Sequence, residues 1–201
     1  MSILEAVPEV GTPVGREQYP AYVSSLEEWY ALPEETEDKY ELVEGWLVMA
    51  PKPTDWHQIA SRRFSIVIEP YLPPGYAVIQ EVEVLIQESP PTLRVPDVLV
   101  VARDSIGTRP KNGSEVLLAI EVISPSNSRN DLVSKLNEYA RIGIPNYWIF
   151  DPRTQVLRVF QLPTGERHYV QLGEFAPQDG DVAVPFGDQF IPVRLERITS
   201  I

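Results

Sequence analysis

The chain has no cysteine and only two histidines, and each shortage excludes a class of function. Without cysteine there is no thiol nucleophile, no disulfide framework and no thiolate-bound zinc or iron–sulfur centre. With His57 and His168 alone, a multi-histidine metal site is excluded, and a Ser–His–Asp triad has two positions to draw on. No stretch approaches the ~20 apolar residues that span a membrane. The opening segment, MSILEAVPEVGTPVG, is acidic and proline-broken, unlike a secretory signal. The expectation is a cytoplasmic protein without a membrane partner. Cations are scarce as well: 17 Lys and Arg stand against 29 Asp and Glu, a net charge of −12. That balance argues against binding nucleic acid through bulk charge.

The charge is unevenly spread. Residues 1–50 carry eleven acids and two bases, whereas residues 94–141 carry seven bases and six acids. A polyanion site therefore belongs in the middle of the chain. A hydrophobic fraction of 43% is enough to build a core. Residues 1–24 read as an extended N-terminal arm and 25–201 as one domain. Ser25-Leu26-Glu27-Glu28 is a capping box that opens a short helix to about Leu32, stopped by Pro33. Tyr40–Met49 reads as a hairpin hinged at Glu44-Gly45. A helix over Trp56–Ile68 carries the stripe Ala60, Phe64, Val67 and Tyr71.

Strands follow at Tyr76–Ile86, Arg94–Ala102 and Val116–Ile123, the last almost wholly apolar, as in a strand covered on both faces. Ser128-Arg129-Asn130-Asp131 opens a second helix, which Gly143 closes after Ile142. Further strands are expected at Asn146–Phe150, Val156–Leu162, Arg167–Leu172 and near Phe190–Leu195, the last in an otherwise loop-rich tail. This order predicts an α/β fold, a mixed β-sheet flanked by helices with a parallel crossover from strand 116 to strand 146.

The informative anomaly is acid inside apolar strands. Asp97 follows Val95-Pro96 and precedes Val98-Leu99-Val100-Val101, and Glu121 sits within Leu117-Leu118-Ala119-Ile120-Glu121-Val122-Ile123. A lone buried carboxylate costs several kcal/mol unless it is paired, hydrogen-bonded or bound to metal. Each acid on its own also fits a strand end, capping a loop or pairing with an arginine. Two converging carboxylates with open positions suit Mg²⁺ or Mn²⁺. Lys135 flanks the helical stripe of Leu132, Leu136 and Tyr139, so its stem can run along the sheet toward those acids. It could equally form an i, i+4 surface pair with Asp131.

Five blocks in order then carry a resemblance. They are Tyr40-Glu41-Leu42-Val43-Glu44-Gly45, Val95-Pro96-Asp97-Val98, Glu121-Val122-Ile123-Ser124-Pro125-Ser126, Lys135-Leu136-Asn137-Glu138-Tyr139 and Ile144–Asp151. In order and spacing they are similar to the Uma-type restriction endonuclease family, and Asp97, 23 residues, Glu121 resembles the metal core of the wider PD-(D/E)XK nuclease superfamily. The resemblance implies a restriction-endonuclease-like core and Mg²⁺-dependent DNA cleavage. It implies that Asp97 and Glu121 hold metal with the backbone carbonyl of Val122, and that Asp97, Glu121 and Lys135 form the catalytic set. The superfamily lysine two residues after Glu121 is Ile123 here, and Lys135 matches the Uma-type position instead.

Lesser candidates surround this set. His57 either packs at the helix start beside Trp56 or meets substrate phosphate as a proton relay near neutral pH. Glu41 and Glu44 flank the hairpin turn and read as solvated acids, with either able to approach the metal. Glu81 and Tyr139 are further neighbours. Ser124, Ser126 and Ser128 fit turn and cap chemistry better than a nucleophile. The expected partner is DNA, with a homo-oligomer, a dimer or higher, bringing two middle segments to one duplex. Two other readings stand beside the endonuclease: a non-catalytic module that kept the fold, and a metal hydrolase of a smaller phosphoester.

Overall fold

The longest apolar segments become the middle strands of the largest sheet. A computed structural model describes residues 20–33, 39–50, 52–124 and 129–200. Its six-stranded sheet has the order β10 (Val170–Phe175), β9 (Val156–Gln161), β8 (Asn146–Asp151), β7 (Val116–Val122), β6 (Val98–Ala102) and β3 (Tyr76–Gln80). β7 and β8 pair in parallel, as the crossover predicts, and the other neighbours are antiparallel. A four-stranded antiparallel sheet runs β2 (Trp46–Ala50), β1 (Lys39–Val43), β5 (Thr92–Arg94) and β4 (Val84–Gln87). A separate hairpin pairs β11 (Asp181–Phe186) with β12 (Gln189–Arg194).

Side-chain alternation divides the core into two layers. Val98, Val100, Leu118, Ile120, Val122, Trp148 and Phe150 face one way. There they meet Ala60, Phe64 and Ile68 of α2 (Asp55–Ile68), the β11–β12 hairpin, and Leu195 and Ile198 of α4 (Leu195–Thr199). Leu99, Val101, Ala119, Tyr147 and Ile149 face the other way, onto Leu132, Leu136 and Tyr139 of α3 (Arg129–Arg141) and onto Val84 and Ile86. Glu121 shares this second face, one pleat from Ala119. α3 ends as its sequence requires: Gly143 takes φ +83°, its N–H donates to the Ala140 carbonyl, and the Ile144 N–H donates to the Tyr139 carbonyl.

Several expectations need correction. The strand over 76–86 is two strands in different sheets, broken where Glu81 adopts φ 57°. The strand over 94–102 is also two, because Pro96 has no N–H to give a ladder. The first helix, α1 (Leu26–Tyr30), is one turn, capped by the Ser25 hydroxyl accepting from the Glu28 N–H at 3.1 Å. The tail holds a full hairpin and a short helix rather than one strand. Most of the expected arm, residues 1–19, lies outside the described residues, as does Ser128 of the second capping box. Where the arm is described it pairs with the β1–β2 hairpin: the Val23 N–H donates to the Gly45 carbonyl at 2.7 Å and the Leu47 N–H to Ala21 at 3.1 Å.

Candidate active site

β6 and β7 bring the two strand acids together. The last paired residues are Val98 opposite Ile120, and one step further along the same register sets Asp97 across from Glu121. Asp97 Oδ2 accepts the Val122 N–H at 2.7 Å, and His57 Nε2 of α2 stands 3.1 Å from that same oxygen. Both contacts fall on Oδ2; Oδ1 has no hydrogen-bond partner among the described residues. His57 is therefore in the site, with 8% of its surface exposed.

Glu121 is buried beneath α3. The Tyr139 hydroxyl donates to Oε1 at 2.9 Å, and Lys135 Nζ lies 3.3 Å from Oε2. Burial first, and then the negative charges of Asp97 and Glu41, push its carboxyl up to about 7 although Lys135 and Tyr139 pull the other way. Tyr139, buried against this carboxylate, has its hydroxyl pushed well above the usual tyrosine range. Of the two readings of Lys135, the structure has the one in which its stem runs in toward the strand acids. The residue is 5% exposed and its ammonium also reaches Glu41 Oε1 at 3.0 Å.

That second contact recruits residues whose partnership sequence reasoning missed. Glu41, read as a solvated turn acid, is buried on β1. Its Oε2 accepts from Arg94 Nη1 at 2.8 Å and its Oε1 from the Val95 N–H at 3.2 Å. Burial works to raise its carboxyl, but Lys135 and Arg94 outweigh that and hold it below the ordinary range. Arg94 turns its other edge to Glu138 of α3, with contacts of 2.7 Å to Oε2 and 3.0 Å to Oε1. Arg94 itself stands out in the sequence as a charge at the head of the apolar run Val95–Val101, but nothing local points to its partners. Glu44 and Glu81 are placed differently. Both are exposed at turn positions, with φ 50° and 57°.

The implied metal set is two carboxylates and the Val122 carbonyl. Among the described residues no group of three or more His, Asp or Glu side chains is arranged to hold an ion. The donors nevertheless fit a hard cation, since Mg²⁺ commonly takes one or two protein carboxylates and completes its shell with water and substrate phosphate. The crowding of Asp97, Glu41 and Glu121, felt in the raised Glu121 carboxyl, is an excess of negative charge that such an ion would relieve.

These elements define a nuclease-like fold. A putative nuclease belonging to DUF820 from Anabaena variabilis superposes on the chain with a TM-score of 0.66 and 21% identity, over 87% of this chain and 97% of that one. Residues 26–187 match the family Uma2, described as "Putative restriction endonuclease", and the chain belongs to that family. The resemblance read from the five sequence blocks is borne out. No curated protein matches. Among the described residues no helix is long and apolar enough to cross a membrane.

Proposed function

We propose that the protein hydrolyses DNA phosphodiester bonds with Mg²⁺ or Mn²⁺ held by Asp97, Glu121 and the Val122 carbonyl. The observation that carries this reading is Glu121: a buried carboxylate across from Asp97, with an ammonium and a phenol on its two oxygens. Bound there, the metal supplies Lewis-acid polarisation of the phosphodiester and of the attacking water. The chain's own residues do the rest. Tyr139 fixes the rotamer of Glu121, and the Val122 N–H and His57 fix Asp97. Lys135 presents a compact cation that offsets charge developing on the phosphoryl oxygens. Glu41 and Arg94 hold that cation in place. Family membership supports the reaction class.

The test is incubation with supercoiled, linear and single-stranded DNA in Mg²⁺, Mn²⁺ or EDTA. Metal-dependent cutting that disappears in Asp97→Ala is the expected result. Absence of cutting under every condition would overturn the reading and favour the non-catalytic module, to which the net charge of −12 is also suited. Metal binding with hydrolysis confined to small phosphodiesters would favour the phosphoester hydrolase.

A further inference from the structure

A cleft of about 830 Å³ opens beside the site. Thr54 and Trp56 line it from the start of α2, Ile123 and Ser124 from the end of β7, and Pro152 and Arg153 from the end of β8. It thus lies at the carboxyl ends of the two parallel strands, the place where open α/β sheets receive ligands. Two of its walls continue directly into the residues that hold Asp97. Trp56 precedes His57, whose Nε2 meets Asp97, and Ile123 follows Val122, whose N–H bonds it.

The lining has a definite chemistry. Trp56 is 46% exposed, an unusual amount of indole to leave in water. Ile123 and Pro152 add apolar surface, and Gln155 and Thr199, hydrogen-bonded to one another, add uncharged polar groups. The one acid, Asp151, is engaged by the backbone N–H groups of Arg153 and Thr154 at 2.9 and 3.4 Å. Arg153 is the cation of the lining, with its side chain 85% exposed and 3.6 Å from Asp151. An exposed aromatic face, a few neutral hydrogen-bonding groups and one guanidinium match a nucleobase with its adjoining phosphate. A volume of this size admits a nucleotide, and a base stacks on the Trp56 ring only when its own face is not already covered by its neighbour in a duplex. The charge of the whole chain points the same way. A protein at −12 gains little from neutralising a double-stranded backbone, so stacking must supply the affinity.

We infer that this cleft seats an unpaired nucleotide of the DNA strand being cut, its base stacked on Trp56 and its phosphate flank beside Arg153. The preferred substrate is then single-stranded DNA or a duplex with an unpaired or extruded nucleotide. The inference rests on the DNA-hydrolysis reading for the strand it names, but its test does not depend on catalysis.

Fluorescein-labelled (dT)12 and a 12-base-pair duplex are titrated with the full chain in Ca²⁺, and binding is read by anisotropy. Wild-type protein should bind the single strand about tenfold more tightly than the duplex, and Trp56→Ala should lose about tenfold of that affinity, the scale of one base–aromatic stack. Trp56→Phe should retain most of it. Arg153→Gln, at a solvent-exposed side chain, gives a second reading if Trp56→Ala does not fold, with an expected loss of about threefold that 0.3 M salt erases. Equal affinity for both DNAs, or (dT)12 binding unchanged in Trp56→Ala and Arg153→Gln, would overturn the inference. The two readings fail separately. Trp56-dependent binding without Mg²⁺-dependent cutting sinks the hydrolysis and leaves the cleft. Cutting abolished by Asp97→Ala with strand binding indifferent to Trp56 sinks the cleft and leaves the hydrolysis.

Discussion

Lys135 stands between two buried carboxylates, so truncating it has two effects. Lys135→Ala should abolish cleavage, and it should destabilise the fold by about 3–5 kcal/mol, because Glu41 and Glu121 would be left without their shared cation. The burial of Lys135, 5% exposed, is what makes the folding cost large. The urea midpoint reads the difference. Adding Glu121→Gln should restore part of the stability and none of the activity. Glu121 also sets a pH dependence in metal-free protein. Its folded carboxyl is pushed up to about 7 from an ordinary value of 4.5, so between those values the folded state takes the extra proton. Stability from this group therefore falls as pH rises from about 4.5 through about 7 and stays lower above. Glu41 runs the opposite way: its carboxyl is lowered, so its stabilisation is complete above the ordinary range and lost as pH falls below it. In EDTA, Glu121→Gln should melt above wild type at pH 8 and close to it at pH 5. A gap that stays constant across that range would contradict the raised carboxyl.

At the scale of elements, Arg94 ties α3 to the hairpin sheet beside the Lys135–Glu41 pair. Arg94 grips Glu41 on β1 and Glu138 on α3, and Glu138 lies one helical turn from Lys135. Arg94→Met should cost about 3–5 kcal/mol, since it strands two acids. It should also lower kcat, because Lys135 then loses the framework that fixes Glu41 beneath it. The β1–β2 turn is similarly constrained. Gly45 has φ +83°, and a Cβ there would come within 2.8 Å of the Val23 carbonyl oxygen as well as meeting the Tyr22 ring. Gly45→Ala should destabilise by more than about 1 kcal/mol, measured as a fall in Tm.

What was legible in the sequence follows from what is local. Asp97 and Glu121 announced themselves as charges in apolar strands, and Lys135 and Tyr139 fell one turn apart on a face aimed at the sheet. The partnership of Arg94 with Glu41 and Glu138 was not legible, since it depends on residues 53 and 44 positions apart being folded together. β11 escaped notice for another reason: its outward Asp181, Ala183 and Pro185 interrupt the apolar pattern, and proline ordinarily argues against a strand.

For the whole molecule, charge governs how it meets DNA. With a net −12, few phosphates can be neutralised per chain, so affinity should fall with a shallow slope between 50 and 200 mM salt. A slope like that of a protein making six to ten phosphate contacts would show a cationic face that the sequence does not disclose. Anisotropy titrations at four salt concentrations suffice to tell them apart.

The C-terminal hairpin bears on where this protein can be shortened. The family match ends at residue 187, inside the turn between β11 and β12. Beyond it lie Ile191, Val193, Leu195 and Ile198, each at most 1% exposed and packed in the same layer as Phe64 and Trp148. A recombinant fragment cut at that boundary would leave β11 with an unpaired edge and bare the apolar flank of α2. Such a fragment is expected to aggregate or succumb to proteases, and its inactivity would say nothing about Asp97 or Lys135.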